Sequence, residues 1–427
     1  MLPKVLVIAN NCFSKTDSNG RTLGGFFNGY PIDKLAQFYI NKGINDFSVC
    51  RNYFTISDSE ALKSLYKKGN YGKIVNCDNE TSLKVDSTIS KKKNKKNPLT
   101  MLVRNFAWNR RKWWGNEFTN WIESFSPDVI LLQIGDSAFM LKLAIDIAKK
   151  YKIPLVFYSS ENYYFKNKNY MKNSGILGLL YPLFIAKYRS AFKKMVEYSS
   201  LAIFNTEELK KLHDNEFNIS SIYIYTATDI IKQYSNNIKS NITVSYLGNM
   251  GVGRHNSLIE VAQALQSINE NYRLNVYGKF PNDTIEKEIR LCKSINYMGF
   301  VPYNEVINVM LNSRLLIHVE NFDSHYVEDL KYAFSTKIAD SLACGTPFLI
   351  YAPASLVETK FNIENKSAFC VVDKNNLKEE LSKALFDETL RKKQVENALD
   401  IASKYFNVDE NIRTFVNALE NIYKEQN

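Results

Sequence analysis

Short apolar runs alternate with helical segments along this chain, and the alternation occurs twice. In the first half, the runs VLVIAN, PDVILLQIG and PLVFYSS are typical of buried parallel strands, and helical stretches separate them. The second half restarts the pattern with VSYLG, RLNVYG and RLLIHVE. Between the halves, residues 230–243 are polar and rich in asparagine. This repetition predicts an α/β fold with two Rossmann-like domains, each built on a parallel sheet.

The pattern also predicts the domain boundaries. We expect an N-terminal domain over residues 1–230, a C-terminal domain over 241–405 and a final helix over 406–427. A chain of 427 residues is long enough for two such cores. Near the N-terminus, the glycines of 19–25 predict a loop after the first strand, where backbone can approach a ligand closely, and 31–43 predicts a helix. An ordinary flexible loop is the alternative for 19–25.

Charge is divided unevenly between the two halves. Residues 1–240 contain 35 Lys and Arg against 20 Asp and Glu, whereas residues 241–427 contain 20 against 24. The resulting charges of +15 and −4 add to the net charge of +11. The basic half therefore predicts a surface that faces an anionic partner.

All four tryptophans lie in one basic segment, residues 100–122, which follows the lysine-rich run KKKNKK at 91–96. Aromatic rings interleaved with cations suit the headgroup region of a membrane, so 91–121 predicts reversible contact with an anionic membrane surface. The alternative is a helix that packs its tryptophans inside while its cations extend to solvent. The segment shows no RRM, KH or zinc-finger pattern, and we expect no nucleic-acid partner.

Cysteine and histidine usage favours a reduced, cytoplasmic protein without a metal site. The six cysteines are scattered with no CxxC pair, and neither HExxH nor a Cys/His cluster occurs. The chain begins with a strand-like run rather than a signal-peptide pattern, and no apolar run reaches 18 residues. We expect a cytoplasmic location, peripheral on the inner leaflet of the plasma membrane where 91–121 binds lipid. The D-x-E at 58–60 is interpreted as part of a helix capping box formed by Ser57 and Glu60, not as a metal ligand.

Two segments of the second half combine a helix start with positive charge. VSYLGNMGVGRHNSL places three glycines between a strand and a helix, with Arg254 at the helix start. FSTKIADSLACGTP begins a helix with Ser335, Thr336 and Lys337 and ends it at Gly345. Helix starts attract phosphate groups, and an arginine side chain can donate two parallel hydrogen bonds to a diphosphate. The alternative for each segment is an ordinary turn or helix cap.

The second segment, FSTKIADSLACGTPFLI, resembles the donor-site helix of family 4 glycosyltransferases. That family usually reads E-x7-E followed by A-M-A-x-G-x-P. Aligned on Ala343 to Pro347, Asp340 takes the second acidic position and Tyr332 stands at the first. The S-T-K start resembles members that assemble bacterial polysaccharides, such as capsule or exopolysaccharide. The resemblance implies the GT-B fold, with two Rossmann-like domains facing each other across a cleft and a C-terminal helix crossing back to the first domain.

The resemblance also implies the function and its residues. It implies transfer of a sugar from a nucleotide-diphosphate sugar, with a UDP-sugar expected, to a lipid-linked or cell-surface glycan, with neither a metal nor a further cofactor. Retention of the anomeric configuration is implied as well, although Tyr332 departs from the pattern. The expected donor-binding residues are Gly24, Gly25, Gly248, Asn249, Arg254, Tyr277, Gly278, Phe300, Val301, Ser335, Thr336, Lys337 and Asp340.

Four residues are expected to take part in catalysis. Arg254 and Lys337 would stabilise the charge of the leaving diphosphate. Asp136 and Glu161 each follow a predicted strand of the first domain and would contact the acceptor and the transferred sugar. The alternatives are a helix cap for Asp136 and a solvated loop for Glu161.

Two other functions stay open at this point. Because Tyr332 stands where the family has a glutamate, the chain could bind or scaffold a sugar nucleotide without catalysis. It could also be a GT-B epimerase that acts on the sugar nucleotide itself.

Overall fold

The computed structural model describes residues 1–15, 17–76, 96–171, 174–230 and 242–426. The chain divides into two compact units, residues 1–224 with 409–427, and residues 225–408. The predicted lysine run at 91–96 and linker at 230–243 lie mostly outside the described residues.

A sheet of eight strands, among the residues described, forms the centre of the first unit. Its order is β4-β3-β2-β1-β5-β6-β7-β8, with only the edge strand β4 antiparallel to its neighbour. These strands are β1 (Val5–Ile8), β2 (Leu35–Tyr39), β3 (Asn52–Thr55), β4 (Lys73–Val75), β5 (Val129–Gln133), β6 (Leu155–Ser159), β7 (Ser199–Phe204) and β8 (Ser221–Tyr223).

Helices cover this sheet. They are α1 (Ser18–Gly25), α2 (Asp58–Lys63), α3 (Pro98–Asn109), α4 (Asn116–Phe125), α5 (Ala138–Tyr151), α6 (Gly175–Leu179), α7 (Tyr181–Glu197) and α8 (Glu207–Asp214). The last helix of the chain, α17 (Val408–Lys424), also packs into this core, where Phe415 stacks on Phe26 with ring centroids 4.9 Å apart. Its apolar face is therefore buried against the first unit.

The second unit is built on a six-stranded sheet whose paired strands, in the described part of the chain, are all parallel, in the order β11-β10-β9-β12-β13-β14. Its strands are β9 (Val244–Leu247), β10 (Leu274–Tyr277), β11 (Ile295–Gly299), β12 (Leu315–Val319), β13 (Phe348–Tyr351) and β14 (Phe369–Val371). Its helices are α9 (Arg254–Ile268), α10 (Asp283–Leu291), α11 (Tyr303–Asn312), α12 (Ser324–Leu330), α13 (Thr336–Ala343), α14 (Val357–Asn365), α15 (Leu377–Phe386) and α16 (Glu388–Tyr405).

The strand order identifies where a ligand can bind in each sheet. Order reverses between β1 and β5 in the first unit and between β9 and β12 in the second. In open parallel sheets the crevice at such a reversal, outside the carboxyl ends of the strands, is the usual binding position. The two-sheet α/β architecture predicted from the sequence is confirmed.

Two local predictions near the N-terminus are wrong. The glycine-rich stretch 19–25, expected to be a loop, belongs to helix α1, because Asp17 caps it by accepting a hydrogen bond from the backbone N–H of Gly20. Residues 31–43, expected to be a helix, contain a short 3-10 turn and then the buried strand β2. LAQFY is buried along its whole length, so the polar face that a surface helix needs is missing. The capping box of Ser57 and Glu60 is confirmed.

The tryptophans lie inside the first unit rather than on its surface. Trp108, Trp113 and Trp121 are buried, and Trp114 is half-buried. The Trp108 ring stacks on Phe139 with centroids 4.5 Å apart, and its N–H donates to Asp58 at 2.8 Å. The interpretation of these rings as membrane-interface groups is therefore wrong. The three buried rings instead contribute large apolar areas to the interior of the first unit.

No helix in the described part of the chain is both long enough and apolar enough to span a bilayer.

Candidate functional site

The carboxyl edge of the second sheet carries three glycine-containing turns that are hydrogen-bonded in sequence. The N–H of Gly248, after β9, donates to the carbonyl of Tyr277 at 2.9 Å. The N–H of Gly278, after β10, donates to the carbonyl of Gly299 at 2.9 Å. A Cβ on Gly278 would lie 2.0 Å from the carbonyl oxygen of Gly248, so only glycine fits there. Predicted donor residues from three strands thus lie along one edge.

The glycine loop after β9 leads directly into α9, as the sequence predicts. Gly253 is the residue before the helix and has a left-handed backbone with φ of 77°. The side-chain amide of Asn321 donates to its carbonyl at 2.8 Å, and a Cβ at this position would meet that amide. Asn249 is exposed, and its side chain accepts from the N–H of Gly251 at 2.7 Å. These contacts fix the position of Arg254, the first residue of α9.

Arg254 belongs to a buried chain of charges. Its Nε and Nη2 donate to Oε1 of Glu320, at 2.9 and 2.5 Å. The same oxygen lies 3.5 Å from Nε2 of His318, which lies 2.8 Å from Oε1 of Glu358. The other oxygen of Glu358 accepts from the backbone N–H of Ser335 at 3.0 Å. We call Arg254, Glu320, His318 and Glu358 the charge network; it connects the start of α9 to the start of α13.

The opposite charges in this network shift the pKa of His318 and that of Glu320. Burial alone would lower the pKa of His318, but the carboxylates of Glu358 and Glu320 outweigh it and raise the pKa to about 9. Burial would likewise raise the pKa of Glu320, yet His318 and Arg254 hold it below its ordinary value. The network therefore contains two basic and two acidic side chains. Removing any one of them would leave an unpaired buried charge.

The start of α13 carries the predicted Ser-Thr-Lys segment. Ser335 precedes the helix without forming a side-chain cap, Ser335 and Thr336 are half-buried, and Lys337 is exposed. Asp340, expected to meet ribose hydroxyls, is buried and accepts a hydrogen bond from the Thr228 hydroxyl at 2.7 Å. This contact ties α13 to the segment that precedes the second sheet and occupies one carboxylate oxygen of Asp340.

An exposed ring stands after β11. Phe300 is 59% exposed, and Nζ of Lys279 lies 4.2 Å from its ring centroid. Val301 and Tyr277 are half-buried nearby in the same row of turns. An exposed aromatic beside backbone groups at a strand end is suited to stacking on a planar base.

Among the described residues, His318, Glu320 and Glu358 form a group with the ligand types and spacing of a metal site. Their ligand atoms lie within 4.8 Å of one another. However, Arg254 donates to Oε1 of Glu320, and the neighbouring carboxyl groups raise the pKa of His318 to about 9, which favours its protonated form at neutral pH. Metal binding requires a neutral imidazole, so these side chains fit an ion-pair network better than a cation site.

In the first unit, Asp136 and Glu161 follow the neighbouring strands β5 and β6. Asp136 is buried and accepts from Nζ of Lys96 at 2.7 Å, whereas Glu161 is exposed. Burial, reinforced by the charge of Glu161, raises the pKa of the Tyr163 hydroxyl well above its ordinary value. Tyr188 donates to the carbonyl of Gly135 at 3.0 Å. The two carboxylates thus both lie near Tyr163, after neighbouring strands at the edge where the sheet order reverses.

Gly24 and Gly25 lie elsewhere, in the second half of α1. Gly24 is buried with its nearest side-chain atom, from Phe13, at 3.6 Å from an added Cβ, and Gly25 is exposed with open space around it. The close approach in this helix belongs to Gly20, where a Cβ would lie 2.3 Å from the carbonyl of Cys12. The glycine that the local fold requires is therefore Gly20.

Sequence reasoning missed His318, Glu358 and the tyrosines around Asp136. For His318 a signal existed, because a histidine inside the apolar strand RLLIHVE must find a partner when buried. Glu358 gave none, since a glutamate in the first turn of a helix is common at any surface.

Residues 228–400 match the family model described as glycosyl transferases group 1. A search of curated proteins finds no match.

Solved structures of similar fold cover nearly the whole chain. HepE from Anabaena, in complex with UDP and glucose, is 12% identical with a TM-score of 0.62, over 98% of this chain and 100% of that one. The sucrose-phosphate synthase of Thermosynechococcus elongatus is 10% identical with a TM-score of 0.64, over 99% and 100%. A mutant of S. aureus TarM, in complex with fondaparinux, α-GlcNAc-glycerol and UDP, is 10% identical with a TM-score of 0.58, over 98% and 100%.

Proposed function

Residues 228–400 match glycosyl transferases group 1 and the chain has the fold of solved glycosyltransferases, and from this we propose that it transfers a sugar from a nucleotide-diphosphate sugar to a glycan acceptor. The charge network carries the proposal. It connects Arg254 to the start of α13, so that two helix starts and a guanidinium occupy the carboxyl edge where the sheet order reverses. This is where an open parallel sheet binds a ligand, and the backbone N–H groups at the two helix starts suit a diphosphate.

The donor would lie along the row of turns at this edge. Gly248, Asn249 and Gly278 would allow close backbone approach to the diphosphate, while Ser335, Thr336 and Lys337 would contact it from the start of α13. Tyr277, Phe300 and Val301 would surround the base, and Asp340 is proposed to contact a ribose hydroxyl. UDP is the proposed nucleotide because HepE and TarM are each described in complex with UDP.

Departure of the nucleotide diphosphate develops negative charge, which must be stabilised in the transition state. We assign this role to Arg254, Lys337 and the starts of α9 and α13, without a divalent cation. The fit of His318, Glu320 and Glu358 to ion pairs rather than to metal ligation supports this assignment. We also propose that the reaction retains the anomeric configuration of the transferred sugar.

The acceptor is proposed to bind the first unit beside Asp136 and Glu161. Lys96 and Tyr163 would orient these carboxylates, and the tyrosine rings would stack on sugar faces. A lipid-linked or cell-surface glycan at the cytoplasmic side of a membrane is the proposed acceptor class, since this unit carries the basic charge of the chain.

Arg254→Ala tests the donor site. Hydrogen bonds to charged groups contribute roughly 1.5–3 kcal/mol, so donor KM should rise about ten- to hundredfold. The assay is release of nucleotide diphosphate over a panel of UDP-, GDP-, dTDP- and CMP-sugars, with and without EDTA. Arg290→Ala is the matched control, because Arg290 is a half-exposed arginine of the same unit that lies outside the charge network; it pairs with Glu286 on α10 and lies over the rings of Phe280 and Tyr297.

The outcomes separate the alternatives. A folded Arg254→Ala protein with unchanged donor affinity would remove Arg254 from the site. Donor binding without any turnover would indicate a sugar-nucleotide-binding scaffold, and release of a changed donor without acceptor would indicate an epimerase. Loss of activity in EDTA that added Mg²⁺ restores would overturn the metal-free assignment.

A further inference from the structure

The outer surface of α3 is apolar although it faces solvent. Leu99, Val103 and Phe106 lie on one side of this helix, at spacings of four and three residues, and each is about half exposed. The opposite side of the same helix is buried through Met101, Asn105 and Trp108. An amphipathic helix on a soluble surface normally turns its polar side outward, so the outward side of α3 needs another explanation.

The neighbouring helices also expose apolar side chains to solvent, and α6 does so more strongly. Ile176 and Leu179 of α6 are 80% and 79% exposed, and Leu183 of α7 is half exposed. Helix α3 packs against both α6 and α7, so these side chains extend from adjoining elements. We call Leu99, Val103, Phe106, Ile176, Leu179 and Leu183 the outer apolar face. Single exposed apolar residues are common, but six on three adjoining helices are typical of an interaction surface.

Cations, and no acidic residues, accompany this face in the sequence. Residues 96–116 contain five Lys and Arg without any Asp or Glu, and residues 162–196 contain seven without any. Exposed Arg110 lies one turn beyond Phe106, and its guanidinium lies 4.7 Å from the Phe106 ring centroid. Exposed Lys187 lies one turn beyond Leu183. Each half of the face therefore ends in a cation that solvent can reach.

We propose that the outer apolar face binds an anionic lipid bilayer, with its six apolar side chains among the acyl chains and Arg110 and Lys187 at the headgroups. Apolar side chains beside cations are the combination that gives reversible binding to an anionic membrane interface. The tryptophans take no part, because three of the four are buried beneath this surface.

Charge favours a bilayer over a second copy of the chain. A two-fold dimer through this face would bring Arg110 and Lys187 of one copy towards the same cations of the other, and like charges across an interface are repelled. An anionic bilayer supplies the opposite charge and accepts apolar side chains of any arrangement. The proposal deepens the proposed lipid-linked acceptor, yet it can be tested without measuring transfer.

The experiment is cosedimentation of the full-length protein with vesicles. Wild type should bind vesicles of phosphatidylcholine with 30% phosphatidylglycerol, about tenfold or more tightly than pure phosphatidylcholine. Binding should weaken in 0.5 M NaCl. The triple variant Ile176→Ser, Leu179→Ser, Leu183→Ser should lose binding at least tenfold. Because these side chains are exposed, the variant should keep the wild-type melting temperature.

The matched control is the triple variant Leu291→Ser, Phe386→Ser, Leu390→Ser, which removes three exposed apolar side chains of the second unit. It should bind vesicles as wild type does. Equal binding by wild type and the Ile176 triple variant, or no binding by wild type, would overturn the proposal. So would a wild-type dimer, seen by analytical ultracentrifugation, that only the Ile176 triple variant dissociates. Nucleotide release without acceptor should be the same in all three proteins, which separates this test from that of the proposed function.

Discussion

Titration of His318 offers the sharpest test of the charge network. In the folded protein the pKa of this imidazole is about 9, against an ordinary value of 6.5. Because the folded pKa is the higher one, protonation stabilises the fold fully below pH 6.5, and this contribution is lost as pH rises through 9. The gap between the two values corresponds to roughly 3 kcal/mol.

The assay compares wild type with His318→Gln by calorimetry between pH 6.5 and 9.5, following the transition of the second unit. For a unit of this size, roughly 3 kcal/mol corresponds to a change of about 6–12 °C in melting temperature. Between pH 6.5 and 9.5, the melting temperature of wild type should therefore fall by about 6–12 °C more than that of His318→Gln. The variant itself should be less stable than wild type at pH 6.5, because Glu358 and Glu320 lose their shared cation.

Comparison with His318→Gln is needed because two thiols of this unit, with an ordinary pKa of 9.0, titrate in the same pH range when the protein is unfolded. Burial in the folded protein raises the pKa of the Cys344 thiol to about 11 and that of Cys370 to about 12, and both proteins keep these thiols. His325→Gln is the matched control, since it changes a histidine of the same unit outside the charge network. It should keep the wild-type dependence on pH. If His318→Gln kept it as well, the reasoning from the ion pairs would be refuted.

Two substitutions test positions where packing alone decides the outcome. Trp113→Ala should lower the free energy of unfolding of the first unit by about 3–5 kcal/mol, because the ring is fully buried against Phe38 and Trp108. Trp114 is only half-buried, so Trp114→Phe should cost much less. Guanidinium unfolding followed by circular dichroism measures both, and a cost below about 1 kcal/mol for Trp113→Ala would contradict its buried position. Gly278→Ala should destabilise the second unit by roughly 1–3 kcal/mol or more, because its φ of 153° is strained for alanine and the new Cβ meets the carbonyl of Gly248. Gly25→Ala, in open space on α1, should be neutral or slightly stabilising in the same calorimetric measurement, and equal effects of the two changes would show that the strain argument is wrong.

Much of the proposed donor-binding edge of the second sheet could be predicted because local sequence determines it. A strand, a glycine turn and a helix start follow one another over a few residues, so the placement of Gly248, Arg254 and Ser335 at strand ends and helix starts needed no knowledge of distant contacts. The same holds for the capping box of Ser57 and Glu60, whose partners are three residues apart.

Local sequence propensity gave a wrong secondary-structure prediction where burial or a single helix cap outweighed it. Glycines favour a loop at 19–25, but one hydrogen bond from the N–H of Gly20 to the Asp17 side chain and the close approach of Gly20 to Cys12 place a helix there. The run after Pro31 becomes a strand because it is enclosed on both sides by other parts of the first unit. Neither neighbour can be identified from the adjacent sequence.

The sequence alone determined the two-sheet α/β fold, the uneven charge and the position of each phosphate-binding candidate at a helix start, because all of these follow from composition and from spacings of a few residues. Only the tertiary structure decided that the tryptophans are core and that α3 and α6 turn apolar side chains outward. It also decided that Arg254 is held by Glu320 and reaches Ser335 through His318 and Glu358. These partners lie tens of residues apart in the chain, and side-chain packing and buried ion pairs between such residues are set only when the sheet brings its strand ends together.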